Sequence, residues 1–209
     1  MDKFTTLTAV AAPILRINID TDIISPSREM KRVSKHGLGD GMFANWRYTE
    51  PGGREEDPNF ILNQAPYRDA KIILSGANFG CGSSREHAVW AMHEWGIRCV
   101  VAPSFGVIFQ SNCVRNGILP VILDNAVIEN IAGQLVANPA SKQLQVSLED
   151  CTLTAPDGTP HAFDIQPTDR AMLLAGLDAI AVTMKHDQAI LEFRARDHLK
   201  RPWVYLEEK

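Results

Sequence analysis

Apolar runs and polar segments alternate through residues 72–101, in the order IILSGANFGCGSSREHAVWAMHEWGIRCVV. The apolar runs at residues 72–74 and 99–101 predict buried strands, because they are continuous rather than interrupted by polar residues. Between them, residues 75–84 predict a glycine-rich loop, and residues 85–95 predict a helix with its apolar side chains on one face. Gly96 follows where a helix commonly ends.

The same reasoning extends to the flanking sequence and predicts an α/β fold. Residues 105–116 predict a second helix with Ile108, Phe109 and Cys113 facing inward, and residues 118–123 predict a third strand. Strands that alternate with helices form a parallel sheet covered by helices. Ligands of such sheets bind at the carboxyl ends of the strands. Since no internal repeat or linker is present, residues 1–209 are predicted to form a single domain. The other predicted elements are a strand at 14–19, a long loop with short turns at 20–54, a helix at 126–137, a β-hairpin from 144–148 and 162–165, helices at 170–174 and 187–193, and an irregular tail at 198–209.

The composition indicates small molecules or proteins as partners. The 209 residues include 21 Lys and Arg against 25 Asp and Glu, for a formal net charge of -4, without a basic cluster. Because nucleic acids and anionic membranes need a basic surface, neither is an expected partner. No apolar run approaches the ~18 residues of a membrane span. Because no targeting signal is found and scattered cysteines fit reduced thiols, we expect a cytoplasmic protein. The four cysteines include no C-x-x-C pair, so the chain is not expected to hold a complete iron–sulfur ligand set of its own.

The glycine-rich loop and the start of the next helix carry the candidate chemistry. Gly80 and Gly82 let the backbone approach a ligand closely, and the first N–H groups of the helix favour an anion. Arg85 adds a guanidinium suited to a carboxylate, beside the hydroxyl of Ser83. A purely structural interpretation is also open, in which Ser83 and Glu86 form a capping box or Ser84 is the N-cap.

Two better-known sites are excluded by spacing. A nucleophile elbow needs a glycine two residues after the serine, and Arg85 and Glu86 stand at these positions after Ser83 and Ser84. A phosphate-binding loop is excluded because the sequence at this loop matches neither G-x-x-x-x-G-K-[ST] nor G-x-G-x-x-G. Ser83 as a general base faces a different problem, since lowering a hydroxyl pKa from ~15.7 to ~9 requires about 9 kcal/mol and a helix terminus supplies at most about 2. A second polypeptide is therefore expected to complete the site.

The motif GCGSSREHA at residues 80–88, with NIDTD at residues 18–22, resembles the small subunits of 3-isopropylmalate dehydratase in the aconitase superfamily. The resemblance covers nearly the whole chain and implies a swivelling β/β/α three-layer domain with a largely parallel central sheet. Similar segments also fall at residues 46–47, 78–80, 102–105, 116–120 and 176–178.

The resemblance further implies how the site works. A large subunit, in a heterodimer or heterotetramer, carries a 4Fe-4S cluster, and this chain binds no cofactor itself. Ser83 is then the catalytic base that takes the C–H proton of a small di-acid, and Arg85 binds a substrate carboxylate. Glu86 and His87 are expected to be structural. The other residues expected at the substrate are Ser84, Thr21, Asp22, Arg28 and Lys31.

The family's substrate-recognition loop departs from its usual pattern in this chain. Glu29 and Met30 replace an aromatic–Leu pair, and an acidic side chain is a poor neighbour for an isopropyl group unless it faces solvent or pairs with a cation such as Arg28, Lys31 or Arg32. The expected function is the isomerisation of 2- and 3-isopropylmalate in leucine biosynthesis. A related dehydratase for another alkylmalate or a citraconate-type acid, and a non-catalytic anion-binding module, stay open as alternatives.

Overall fold

The structure is a computed structural model that describes residues 1–30, 36–83, 85–137 and 143–205. Its strands are β1 (Thr6–Ala9), β2 (Ala11–Ile14), β3 (Ile72–Ser75), β4 (Cys99–Ala102), β5 (Leu119–Ile122), β6 (Leu144–Ser147), β7 (Thr152–Thr154) and β8 (Pro160–Ala162). Its α-helices are α1 (Thr21–Ile24), α2 (Ala44–Arg47), α3 (Glu86–Trp95), α4 (Val107–Arg115), α5 (Asn125–Ala137), α6 (Pro167–Ala175), α7 (Ala179–Met184) and α8 (Asp187–Lys200).

A parallel sheet with the strand order β2-β3-β4-β5 forms the centre of the fold. Its residues alternate between two apolar clusters. Ile73 and Val100 pack with α3, α4 and the segment that follows β2, whereas Ile72 and Val101 pack with α5 and the second sheet. Because both faces are covered, the strands are apolar throughout, and the predicted α/β fold with a largely parallel sheet is confirmed.

The second sheet is antiparallel, with the order β1-β6-β7-β8. The predicted strand at residues 144–148 is confirmed, since Leu144 and Val146 are both fully buried against the central sheet. The predicted hairpin partner at 162–165 is misplaced. The strand β7 was not predicted; it pairs with β6, and the returning strand β8 pairs with β7 at Pro160–Ala162.

Other segments also differ from the sequence prediction. The strand predicted at 14–19 lies at Ala11–Ile14, because a tight turn ends it, in which Arg16 N–H donates back to the Ile14 carbonyl at 2.7 Å. The segment at 20–54 contains two single-turn α-helices, α1 and α2, besides its turns. The tail is not irregular from residue 198, since α8 continues to Lys200 and a 3-10 helix follows at Pro202–Val204.

The carboxylate of Glu94, in α3, binds residues 37–39 of the segment that connects β2 and β3. Glu94 accepts hydrogen bonds from the backbone N–H groups of Gly37, Leu38 and Gly39 at 2.6, 2.5 and 2.7 Å. Burial acts to raise the pKa of Glu94, but these three donors outweigh it and the pKa is lowered. The ionised carboxylate therefore holds this segment against the helix that carries the candidate site.

No helix in the described part of the chain is long and apolar enough to cross a bilayer.

Candidate active site

A cavity of about 390 Å³ opens at the carboxyl edge of the parallel sheet, where such folds bind ligands. Segments that follow β2, β3 and β4 meet there. The residues that line the cavity are Thr21, Asn78, Gly80, Cys81, Gly82, Ser83, Arg85, Phe105, Gly106, Val107, Ile108 and Phe109.

Backbone pairing continues past the ends of the strands and holds these segments together. Phe79 pairs with Phe105 in a parallel bridge, with Gly106 N–H donating to the Phe79 carbonyl at 2.9 Å. Asp20 pairs with Cys81 in the same way, and Thr21 N–H donates to the Cys81 carbonyl at 3.1 Å. The glycine-rich loop is therefore fixed on both sides rather than left free.

Two glycines make the close packing under the cavity possible. Gly80 has a φ of +71°, and a Cβ added there would lie 2.1 Å from Cγ of Phe109. A Cβ on Gly106 would lie 2.5 Å from the carbonyl oxygen of Gly80. Since neither approach leaves room for a methyl group, only glycine allows α4 to start directly against the loop.

Ser83 lies on the cavity wall with its side chain exposed. Its position is set by Thr21, which is only 2% exposed and whose Oγ1 donates to the Ser83 carbonyl oxygen at 2.7 Å. The structure thus brings Thr21 and Ser83 together, as predicted for one site. The Thr21 hydroxyl is directed to the backbone of Ser83, which makes it a positioning group for the loop.

Arg85 lies on the same wall as Ser83 and is paired with Asp22. Its Nη1 donates to Asp22 Oδ1 at 2.5 Å, and both side chains are partly open to solvent. Asp22 belongs to α1, whose first turn is capped by Asp20, which accepts from Ile23 N–H at 2.7 Å. The guanidinium is therefore oriented by a carboxylate in a position that an incoming anion can compete for.

The capping interpretation of this motif is wrong. The helix begins two residues later than a Ser83–Glu86 box requires, with Arg85 as N-cap and no side-chain capping hydrogen bond. Glu86 instead accepts a hydrogen bond from Asn116 Nδ2 at 2.9 Å, and Asn116 Oδ1 accepts from Trp90 Nε1 at 3.0 Å. His87 packs its ring on Trp90, with ring centroids 4.8 Å apart. Glu86 and His87 accordingly hold the helix in place, as expected.

The electrostatics of the cavity favour an anion. Both α3 and α4 begin at this edge, and the N–H groups of a helix's first turn lack partners within the helix and carry partial positive charge. Neither N-cap makes a side-chain capping bond. Cys81 adds no negative charge, because burial and then nearby Asp20 raise the pKa of its thiol. The cavity is therefore suited to a carboxylate and not built around a thiolate nucleophile.

The described part of the recognition loop, residues 23–30, does not line the cavity. Arg28 Nε lies 3.2 Å from Glu29 Oε1, and Arg54 Nη2 donates to Glu29 Oε2 at 2.6 Å. The Glu29 side chain is only 9% exposed, and its charge is neutralised by these two arginines. Arg28 does not line the cavity, so its role at the substrate stays a prediction. Ser84 and Lys31, also predicted at the substrate, lie outside the described residues.

Sequence reasoning missed three side chains on the cavity wall. Asn78 has a φ of +62° and donates through Nδ2 to Asn18 Oδ1 at 2.8 Å, which ties the turns after β2 and β3 together. Val107 was assigned only to a helix, and Ile108 was predicted to face inward, yet they are 83% and 56% exposed. The prediction for Ile108 is wrong because α4 begins at the cavity, which both side chains line. Two adjacent aliphatic residues at the start of a predicted helix, shortly after a strand, were the available signal, but their exposure depends on the tertiary fold.

Comparison with known proteins agrees with this geometry. The aconitase C-terminal domain family matches residues 1–126. The 3-isopropylmalate dehydratase small subunit of Cupriavidus necator is 53% identical over 207 residues, covering 99% of this chain and 100% of that protein. The chain belongs to the family of 3-isopropylmalate dehydratase small subunits. The family members of Roseobacter denitrificans and Rhodospirillum centenum are 47% and 45% identical over 204 residues, or 98% of this chain and 100% and 99% of their own lengths.

A solved structure supports the fold. The crystal structure of a 3-isopropylmalate dehydratase from Methanocaldococcus jannaschii matches with a TM-score of 0.65, covering 90% of this chain and 98% of that chain at 23% identity. This likeness confirms the mixed α/β architecture with its parallel sheet.

The described side chains do not fit an iron–sulfur cluster. Within residues 1–30, 36–83, 85–137 and 143–205, no three His, Cys, Asp or Glu side chains are grouped so that they could hold a metal ion. Cys81 is the one thiol on the cavity wall among these residues, and it lies beside the candidate serine. Among the described residues, the cavity wall offers a hydroxyl from Ser83, a guanidinium from Arg85 and backbone N–H groups.

Proposed function

We propose that this chain supplies half of the active site of a hydro-lyase that interconverts 2- and 3-isopropylmalate in leucine biosynthesis, by removal and readdition of water. One observation carries the proposal. Ser83 and Arg85 lie on one wall of an open cavity, beside the starts of two helices. A hydroxyl that moves a proton and a guanidinium that holds a carboxylate are the groups such an elimination requires from one side of the substrate.

Ser83 is the base in this proposal. Its Oγ acts as the alkoxide: it takes the proton from the substrate carbon as the alkene forms, which leaves the neutral hydroxyl, and this hydroxyl returns the proton to the alkene in the reverse direction. Thr21 fixes the backbone of Ser83 through the 2.7 Å hydrogen bond to its carbonyl, so the hydroxyl is held while its side chain stays accessible. The anion formed at Ser83 is favoured by the first-turn N–H groups of α3, although a helix terminus contributes only about 2 kcal/mol at most.

Arg85 binds a carboxylate of the di-acid. In the structure its Nη1 is held by Asp22 at 2.5 Å. Asp22 is largely exposed and Arg85 is partly exposed, so water screens the pair and its net stabilisation is small. A substrate carboxylate can therefore take one edge of the guanidinium while Asp22 keeps the other, which orients the substrate with respect to Ser83.

The partner completes the site. Loss of hydroxide from the substrate requires an acid, and in this proposal a 4Fe-4S cluster on the large subunit supplies Lewis acidity toward the leaving hydroxyl. Ser83 lines the cavity and is exposed, so a second polypeptide has access to this part of the wall. The name of the relatives, small subunit, supports a large-subunit partner.

The unusual recognition loop does not argue against an isopropyl substrate. The carboxylate of Glu29 is paired with Arg54 and Arg28, and the residue does not line the cavity. An acidic group that is neutralised elsewhere presents no charge to an apolar substituent. The departure from the usual aromatic–Leu pair is therefore compatible with this substrate class.

Reconstitution tests the proposal. The chain is co-expressed with a 3-isopropylmalate dehydratase large subunit, purified through a tag on the small chain, and assayed for conversion of 3-isopropylmalate. We expect an active complex. Arg85→Lys should raise the KM for 3-isopropylmalate, because a lysine cannot make the two-pronged contact of a guanidinium with a carboxylate. Arg196→Lys, at an exposed position, is the control and should leave the activity unchanged. An assembled complex that converts no isopropylmalate would refute the assignment.

A further inference from the structure

One part of the cavity wall is apolar, in contrast to the polar part that carries Ser83 and Arg85. Val107 and Ile108, the first two residues of α4, line the cavity and are 83% and 56% exposed. Phe105 and Phe109 also line it but are 9% and 3% exposed, because their rings pack on Phe79. The two aliphatic side chains are thus the apolar surface that the described residues leave available to a ligand.

The position of these two side chains is fixed by the backbone beneath them. Gly106 N–H donates to the Phe79 carbonyl at 2.9 Å, and Gly106 packs so closely on Gly80 that an added Cβ would meet its carbonyl oxygen at 2.5 Å. Phe109 fills the space above Gly80 in the same way. The start of α4 is therefore held at a set distance from the loop that carries Ser83.

The family resemblance associates a loop at residues 23–32 with the variable group of the substrate, and the structure describes this loop as far as Met30. In its described part, residues 23–30, no side chain lines the cavity. Ile24 is fully buried in the core, and Glu29 is turned into its pairs with Arg28 and Arg54. Among the described residues of this chain, an apolar contact for the substituent of the substrate therefore lies elsewhere on the cavity wall.

We propose that Val107 and Ile108 contact the alkyl substituent of the substrate and set the preference for a branched alkyl group. This inference rests on the proposed function, since it concerns the same cavity and the same class of alkyl-substituted di-acid. Arg85 and the helix starts hold the carboxylates, while the two aliphatic side chains accept the alkyl group. A gain or loss of one methylene in such a contact changes kcat/KM by about 10- to 200-fold.

The test compares substrates that differ only in the alkyl group. Malates with isopropyl, ethyl and methyl substituents at the same carbon are assayed with the reconstituted large–small pair carrying Val107→Thr or Ile108→Val. The matched control is Val136→Thr, an aliphatic residue of α5 that is 63% exposed and does not line the cavity. Binding of each variant to the large subunit is measured in parallel.

We expect Val107→Thr and Ile108→Val each to lower kcat/KM for the isopropyl substrate by about tenfold, and for the methyl substrate by less than about twofold. Val136→Thr should leave all three values unchanged. An equal loss on all three substrates, or no loss on any, would overturn the inference, and the former would identify the two residues as a docking contact for the large subunit. Failure of the unmodified pair to convert any of the three would instead refute the proposed function, and this inference with it.

Discussion

Replacement of Gly80 by alanine is expected to destabilise the chain far more than an alanine at a glycine with free surroundings. Gly80 has a φ of +71°, and the added Cβ would lie 2.1 and 2.3 Å from two carbon atoms of the Phe109 ring. The left-handed backbone costs an L-residue about 1–2 kcal/mol. Forcing a methyl group against a buried ring adds about 1–3 kcal/mol. We therefore expect Gly80→Ala to lower the free energy of unfolding by about 2–5 kcal/mol.

Gly158→Ala is the matched control for this experiment. Gly158 has a φ of +90°, but no atom lies within 4 Å of its added Cβ, so only the backbone cost of about 1–2 kcal/mol applies. Equilibrium urea unfolding, followed by circular dichroism, gives both values on the full chain. Equal losses for the two variants would refute the close packing of Phe109 on the loop, and with it the account of how the cavity is shaped.

Three further predictions concern groups around the site. Thr21→Val keeps the shape of the side chain but removes the hydrogen-bond donor to the Ser83 carbonyl, so kcat of the reconstituted pair should fall at least tenfold. Thr21→Ser keeps the hydroxyl and should retain most of the kcat. Equal kcat values for the Thr21→Val pair and the unmodified pair would contradict the positioning role. Glu94→Gln should cost about 1 kcal/mol of unfolding free energy. It should also flatten the loss of stability below about pH 4.3, because a carboxylate with a lowered folded pKa stabilises the fold above its ordinary pKa and ceases to do so as the pH falls. Burial, and then the charge of Arg98, lower the pKa of His93. As the pH falls, His93 is therefore protonated in the unfolded chain first, and the free energy of unfolding should decrease below about pH 6.5. His93→Gln should remove this part of the decrease, and a pH–stability curve that is the same for the variant and the unmodified chain would contradict this role of His93.

The central sheet could be predicted because its signal is local. Residues 72–74 and 99–101 are apolar without interruption, and each is buried on both faces of the sheet. The helix between them, α3, shows the 3.6-residue spacing, and Gly96 ends it with a φ of +109°. Sequence spacing also located the loop with Ser83 and Arg85 at the carboxyl edge, since that edge follows from the parallel arrangement alone.

The contacts that complete the site could not be predicted because they join distant parts of the chain. Thr21 and Ser83 are 62 residues apart, and Asp22 and Arg85 are 63 apart. The capping box failed for the same reason, since Glu86 is bound by Asn116, 30 residues further on. Local preference cannot reveal a tertiary partner that outcompetes it. The exposure of Val107 could likewise be seen only once the place of α4 at the cavity was known.

The measurement that tests the account most directly is the turnover of 3-isopropylmalate by a purified, assembled pair in which Ser83 is replaced by alanine. Ser111→Ala, at an exposed position in the middle of α4, is the control. The account predicts that the Ser83→Ala pair assembles normally and loses at least a hundredfold in kcat, within the range that general-base catalysis contributes (about 10²–10⁴-fold), while the control keeps its rate. A Ser83→Ala pair that assembles and turns over at the unmodified rate would contradict it.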